Sequence, residues 1–255
     1  MGTKNKDLDH IFINKSLFFP KHGILVIGDL HIGYEEALRQ SGILVPESQI
    51  SEVMEELKDI ISRIKKQKQA LKKIIFLGDI KHFFPFEKHE KKYFNALLEF
   101  LKQYLPENRI IFIKGNHDTM DYSFEKKLLR DYYIENCIAF IHGHKSFPEI
   151  FAKNIKTIVM GHIHPSIILS DSQSIKRERY KCFLTGEYKH KEIIILPSFL
   201  SMVEGTPINN YPEDYENNFS IIPRKELISF KVQVIGDSAV YDFGKIKFRK
   251  SFLIV

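Results

Sequence analysis

Five short apolar runs in this chain end alike, each delivering side chains that are expensive to bury. Gly23–Asp29 runs into Asp29 and His31, and Lys73–Asp79 ends on Asp79. Ile110–Asp118 closes with Asn116, His117 and Asp118. Cys137–His144 carries His142 and His144, and Thr157–His164 carries His162 and His164. Apolar runs of this length bounded by turn residues read as buried strands. Any one ending has an ordinary explanation, since Gly-Asn is common turn chemistry. The set is harder to explain that way. In open α/β sheets the carboxyl ends of parallel strands gather at one rim, where ligands bind. Unpaired carboxylates, amides and imidazoles brought together there demand partners.

Helical patterns lie between the runs. Glu47–Gln69 places Ile50, Val53, Met54, Leu57, Ile60, Ile61 and Ile64 at three- and four-residue steps, the mark of one apolar face. Pro46 and Glu47 suit its first turn. Glu87–Leu105 repeats the pattern with Phe94, Leu97, Leu98 and Leu101, and Pro106 ends it. Shorter helices are expected at Ser123–Asp131 and Phe147–Asn154, and a hairpin arm over residues 8–20. Strands alternating with helices predict an α/β class. Beyond Pro165 the character changes. Ile167–Ser170, Tyr180–Leu184, Glu192–Leu196, Leu227–Ile235 and Lys245–Phe248 read as strands of a mostly antiparallel sheet. Asn209–Asn218, polar and carrying Pro212, reads as a mobile loop.

The chemistry follows from the donors. Asp29, Asp79 and Asn116 offer oxygens, and His31, His142, His162 and His164 offer imidazole nitrogens. This mix suits Mn, Fe, Zn, Co or Ni rather than Mg or Ca. It exceeds what one tetrahedral ion needs and fits two ions sharing a carboxylate. Two metals roughly 3.5–4 Å apart hold a hydroxide between them and clamp an in-line displacement at phosphorus. His142 is preferred to His144 because it directly follows Ile138–Ile141. His22, His89 and His190 read as surface residues.

In their order and spacing these residues resemble the calcineurin-like metallophosphoesterases. The carrying blocks are Asp29-Leu30-His31, Gly78-Asp79, Gly115-Asn116-His117-Asp118, His142 and Gly161-His162-Ile163-His164. The resemblance implies a four-layer α/β/β/α sandwich, two mixed sheets flanked by helices. It implies two divalent metal ions, Mn first among them. Asp29, His31 and His164 would take one metal, Asn116, His142 and His162 the other, and Asp79 would bridge. His117 would stay off the metals and give a proton to the leaving oxygen or steady the phosphoryl charge. Asp118 either orients that imidazole or serves a local turn. His162 and His164 point to one side if the chain there is extended. Lys81 and His82, following Gly78-Asp79, are candidates for touching a substrate phosphate.

Within that superfamily the chain looks most like the SbcD-related archaeal phosphoesterases and the bacterial ligase-associated DNA-damage endonucleases. That likeness rests on residues 28–35 (Gly-Asp-Leu-His-Ile-Gly-Tyr-Glu), residues 78–82 (Gly-Asp-Ile-Lys-His), Leu196-Pro197-Ser198-Phe199 and Gly205-Thr206. It implies a phosphodiesterase or nuclease acting on DNA or another nucleic acid, in DNA repair. The alternatives are a phosphomonoesterase or small-nucleotide phosphodiesterase, and a non-catalytic metal-containing protein that binds nucleic acid. The 255 residues are expected to form one catalytic domain without a separate capping domain, helped by a partner protein or a homodimer.

Composition narrows the setting. A net charge of +6, drawn largely from Arg63–Lys73 and from Lys176, Arg177 and Arg179, fits an anionic substrate or a solvated helix face equally well. No apolar run of about 18 residues suggests a membrane span. Met1–His10 is unlike a secretory signal. Cys137 and Cys182 make no disulfide framework, and each reads as an inert packing residue in a reducing cytoplasm.

Overall fold

In a computed structural model, which describes residues 10–82, 88–118, 129–170, 176–209, 220–245 and 252–253, the five runs divide between two sheets. The chain opens with β1 (Ile11–Ile13) and β2 (Ser16–Phe19), antiparallel to each other, and β2 continues antiparallel into β3 (Ile24–Ile27). Helices α1 (Tyr34–Gln40) and α2 (Gln49–Lys66) follow. Then come β4 (Lys73–Phe76), α3 (Lys88–Lys102), β5 (Ile110–Ile113) and β6 (Leu129–Arg130). Strands β3 to β6 are parallel, and the first sheet has the order β1-β2-β3-β4-β5-β6.

The second sheet begins with β7 (Tyr132–Glu135), β8 (Ile138–Ile141), β9 (Thr157–Met160) and β10 (Pro165–Ser170). It continues with β11 (Arg177–Tyr188), β12 (Lys191–Ile195) and β13 (Thr206–Pro207). The one-turn helix α4 (Arg224–Leu227), β14 (Lys231–Ile235), β15 (Val240–Lys245) and β16 (Phe252–Leu253) complete it. Its path is β13-β10-β11-β12-β9-β8-β7, with β14 beside β11, β15 beside β14 and β16 beside β10. Strands β8, β9 and β12 are parallel, while the part from β10 onward is mainly antiparallel.

Both faces of the central strands are buried, which is why they read as unbroken apolar runs instead of alternating ones. Side chains nonetheless alternate in destination. Leu25, Ile27, Ile74, Phe76, Ile110 and Phe112 face α2 and α3, meeting Leu57, Ile60, Ile64, Leu97 and Leu101. Val26, Ile75, Leu77, Ile111 and Ile113 face the other way, against Ile138, Phe140, Val159, Phe183 and Ile194 of the second sheet. Ala139, Ile158, Ile193 and Leu184 point outward from that sheet, under Ile150, Leu227 and Phe230. The architecture is therefore the expected mixed α/β sandwich of two sheets. Among the described residues its outer helical cover on the second sheet is a 3₁₀ turn at Pro148–Phe151 and α4.

Several local expectations change. Phe147–Asn154 forms only that 3₁₀ turn, because Ala152 leaves it with ψ 153. Of Ser123–Asp131, residues 123–128 lie outside the described residues, and Leu129–Arg130 is strand, paired with the edge of β5. Edge pairing outweighs local helical tendency there. Leu227 closes a helical turn instead of opening a strand. Strand β15 ends where Lys245–Phe248 was expected to begin, and residues 246–248 lie outside the described residues. Helix α1, too short for a clear period, and β7, a half-buried edge strand without an apolar run, add to the expected elements. The expected loop Asn209–Asn218 lies outside the described residues except Asn209, whose side chain bonds both backbone groups of Ile168.

Cys182 is buried as expected, but Cys137 is exposed. Asn136 and Cys137 have φ 53 and 61 in the two-residue turn joining β7 to β8, the pattern of a type I′ hairpin. His190 is exposed and His22 half-buried, while the side chain of His89 lies outside the described residues.

Phe140 is fully buried between the sheets. Phe140→Ala should cost about 3–5 kcal/mol, the range for an emptied aromatic site. Leu44→Ala, at a side chain 97% exposed, should stay within about 0.5 kcal/mol of wild type. Urea denaturation of both variants checks the contrast.

Candidate metal centre

The site forms where the carboxyl ends of β3, β4 and β5 meet those of β8 and β9. Backbone bonds lock the loops together. Leu30 and His31 donate to the carbonyl of Asp79, Ile32 donates to Ile80, and His82 donates back to Ile32. From the second sheet, the N–H of Phe199 and the hydroxyl of Ser198 donate to the carbonyl of Asp29. Each strand end is thus fixed by its neighbour before any ligand is considered.

Two clusters of donor atoms result. In the first, Asp29, His31 and His164 bring one ligand atom each within 4.8 Å of one another. His31 Nε2 lies 3.3 Å from His164 Nε2, which is 3.4 Å from Asp29 Oδ2. In the second, His142 Nε2 faces Asn116 Oδ1 and His162 Nδ1, both at 3.0 Å, and Asp79 Oδ2 at 3.5 Å. His142 Nδ1 lies 3.0 Å from the carbonyl of Leu77 and 3.1 Å from Asp29 Oδ1. Both of those oxygens are acceptors, so Nδ1 carries hydrogen and Nε2 is left for the cluster. Lone pairs then converge from Asn116, His162 and Asp79, an arrangement that a cation relieves.

The electrostatics say the same. Burial would raise the Asp29 carboxyl, but the charges of His164 and His142 hold it well below the usual carboxylate range. Burial and the charge of His164 push His31 down to about 3, leaving a neutral imidazole. Asp79 is pushed up to about 6 by burial, with His142 opposing. Burial opposes protonation of His142, yet Asp29 and Asp79 carry it to about 9.

Fitting these groups so closely requires missing side chains between them. A Cβ on Gly161 would stand 2.5 Å from Asp29 Oδ2, and one on Gly115 would stand 2.1 Å from Asp79 Oδ1. The backbone also bends into the left-handed region at His31, Asp79, His162 and His164, with φ 46, 43, 69 and 48. Such φ values are uncommon outside glycine and gather at functional sites. The expected extended chain at His162 and His164 is therefore not found. The N–H of Ile163 donates to the carbonyl of Gly161, closing a turn around His162. This sends His162 to the second cluster and His164 to the first.

His117 stands at the edge of both clusters. Its N–H donates to Asp79 Oδ1 at 2.9 Å, and its Nε2 is 4.0 Å from Asp79 Oδ2. Its Nδ1 lies 3.0 Å from the carbonyl of His82, and its ring stacks on that of His82. His31, His82 and His117 also come together as a third group. Asp118 instead accepts the N–H groups of Gly115, Ile80 and Lys81. Its contacts carry the turn reading, clamping the loops after β4 and β5. Lys81 is buried beside that clamp. His144 packs near His142 and His162.

Four further residues hold the site: Glu35 and Ser198, which stand in the blocks that carry the family likeness without a role of their own, and Gln49 and Lys181, which no motif marks. Glu35 accepts the N–H groups of Ser48 and Gln49 at the start of α2. Gln49 donates to the carbonyl of His31 and accepts from Gly33. On the other side Lys181 donates to the carbonyls of Ser198 and Leu200, and Ser198 holds Asp29. They are scattered through the sequence, and only folding brings them to the site.

Comparison with known proteins gives the family and the fold. The sequence profile described as calcineurin-like phosphoesterase matches residues 22–199. Among solved structures, a nuclease named MPE from Pseudomonas putida shares the fold, with a TM-score of 0.61 at 16% identity. The match covers 95% of this chain and 99% of that one. No curated protein matches closely enough to serve as a relative.

Burial, with the charge of Lys15 adding and that of Glu56 opposing, pushes Lys181 down to about 7. Lysine in an unfolded chain titrates near ~10.4. Between those values the unfolded chain binds the extra proton, so this residue makes stability rise with pH across that window. The stability of wild type relative to Lys181→Met should therefore grow from pH 7 to pH 9.5, measured by urea denaturation. A flat difference contradicts it.

Proposed function

The chain belongs to the calcineurin-like phosphoesterase family, and from that premise we propose that it is a dinuclear-metal phosphodiesterase acting on nucleic acid. The observation that carries this reading is the position of His142. Its two ring nitrogens face Asp29 of one cluster at 3.1 Å and Asp79 of the other at 3.5 Å. Two donor sets built this close together suit a pair of ions better than two separate ones.

In this reading Asp29, His31 and His164 hold one ion, Asn116, His142 and His162 the other, and Asp79 is shared. When bound, divalent ions, Mn being the favoured identity, supply Lewis acidity toward the phosphoryl oxygens and a hydroxide nucleophile at neutral pH. The protein's own groups do the rest. The Leu77 carbonyl fixes the tautomer of His142, as acceptors behind metal-ligating histidines do. The Asp79 carboxylate and the His82 carbonyl orient His117, which gives its proton to the departing oxygen. Asp118 keeps the loops after β4 and β5 in register. Lys81, buried beside the Asp118 clamp, and His82, stacked on His117, are the candidates for meeting a phosphate oxygen.

Support for a nucleic-acid substrate comes from the basic balance of +6, from exposed Arg177 and Arg179 on β11, and from the fold shared with a nuclease. The sequence likeness to the SbcD-related and ligase-associated nucleases fits the same picture. No described helix is long and apolar enough to cross a membrane. One catalytic domain over residues 1–255, working in the cytoplasm with a homodimer or partner protein to select substrate, completes the proposal.

Turnover of bis-(p-nitrophenyl) phosphate and single-stranded DNA with Mn, and little of p-nitrophenyl phosphate, is the expected result. Turnover of the monoester alone replaces this reading with a phosphomonoesterase. Salt-sensitive DNA binding without any cleavage replaces it with a binding protein.

His117→Ala should keep two metals per chain by elemental analysis yet lose about 10²–10⁴-fold in kcat, the scale of general acid catalysis. Retained kcat removes His117 from the mechanism. Asp79→Ala should weaken both metals, whereas His31→Ala should weaken chiefly one. Two ions still held tightly in Asp79→Ala refute the shared carboxylate.

A further inference from the structure

Beside the first cluster lies an open cavity of about 500 Å³ whose wall includes His164, Tyr34, Arg179, Met202, Glu204 and Thr206. It is larger than a phosphoryl group needs and falls within the range of small-ligand sites. His164 belongs to both the cavity and the metal cluster, so a substrate held at the metals reaches its mouth. A series of rings leads the same way. Tyr34 packs edge-on against His82 at 4.9 Å between centroids, and His82 stacks on His117 at 5.7 Å.

The lining has a distinct chemistry. Tyr34 offers an aromatic ring and Met202 a thioether, both half-buried. Arg179 brings a guanidinium held by Glu204 at 2.8 Å and by the carbonyl of Gly205 at 3.4 Å. Glu204 is 70% exposed while Arg179 is 35% exposed, so the carboxylate lies on the solvent side of the pair. The N–H of Thr206 donates to the carbonyl of His164 at 2.7 Å, tying the cavity wall to the loop that carries His164. An aromatic ring and a guanidinium lining one cavity are the groups with which proteins take the base and phosphate of a single-stranded nucleotide.

We propose that this cavity is a subsite for the nucleotide next to the scissile phosphate, with Tyr34 against its base and Arg179 against its far phosphate. The inference rests on the nucleic-acid reading above and deepens it. Glu204 acts as a rim charge that occupies Arg179 between substrates, and its carboxylate competes with the incoming phosphate.

The test compares wild type, Arg179→Ala, Tyr34→Leu and Glu204→Gln on two substrates with Mn. One is a single-stranded oligodeoxynucleotide, and the other is bis-(p-nitrophenyl) phosphate, which has no second phosphate. Arg179→Ala and Tyr34→Leu should each lose about tenfold more kcat/KM on the oligonucleotide than on the small diester, the scale of one stacked base. Glu204→Gln should move the opposite way, raising kcat/KM on the oligonucleotide. For Arg179→Ala the dependence of log kcat/KM on log salt should become shallower by about 0.7, the share of one phosphate contact on a single strand. Equal losses on both substrates, an unchanged salt slope, or no gain in Glu204→Gln overturn the subsite. Should loss of Arg179 loosen the loop at Gly205, the Tyr34 and Glu204 variants decide alone. Wild-type protein that cleaves the small diester but not the oligonucleotide overturns the nucleic-acid reading itself, and the subsite with it.

Discussion

A single buried carboxylate, Asp29, joins the two sheets where the chemistry is gathered. Leaving β3 in the first sheet, it accepts the N–H of His162 from the second at 3.1 Å. Its backbone carbonyl accepts Phe199 and Ser198, which follow β12. A fully buried charge is costly unless it is paired. Here the pairing comes from His142 and His164, both on second-sheet loops. The charge that a metal cluster needs is also the one that requires the sheets to stay together. Removing it disturbs the join as well as the site, so activity and stability are coupled at this position.

The rest of the fold holds that join steady. The layer between the sheets is built from rigid β-branched and aromatic side chains, with Phe140, Phe183, Val159 and Ile194 meeting Val26, Ile75 and Ile111. Interiors this dense transmit displacement instead of absorbing it, so the distance between clusters is set by packing as well as by the ligands. Buried hydrogen bonds from Gln49 and Lys181 brace the loops from opposite sides. The strained φ values at His31, Asp79, His162 and His164 persist because the surrounding bonds over-determine them.

Much of this was legible in the sequence, and the reason is physical. Donor residues at the ends of apolar runs stand out because little else places Asp, Asn and His so regularly beside buried strands. The helices over residues 49–66 and 88–102 were legible because one apolar face repeats at the helical period. Length and burial decided what was missed. Helix α1 spans 7 residues, too few to show a period, and β7, a half-buried edge strand, lacks the unbroken apolar run that marks the buried strands of the same length. The role of Asp118 stayed open between two readings because its partners, Ile80 and Lys81, lie on another loop. Glu35, Gln49, Ser198 and Lys181 follow the same logic, since their work is defined by backbone groups that sequence spacing does not bring near.

The hairpin turn at Asn136-Cys137 has a practical consequence. Cys137 and His142 stand at opposite ends of β8, about 16 Å apart at strand rise, so the exposed thiol sits at the pole away from the clusters. The second thiol, Cys182, is sealed in the core and pushed up by burial, which leaves it inert toward reagents. The native chain therefore carries one addressable handle. A fluorophore or a surface linker attached there would leave the face that carries the clusters turned outward to solution.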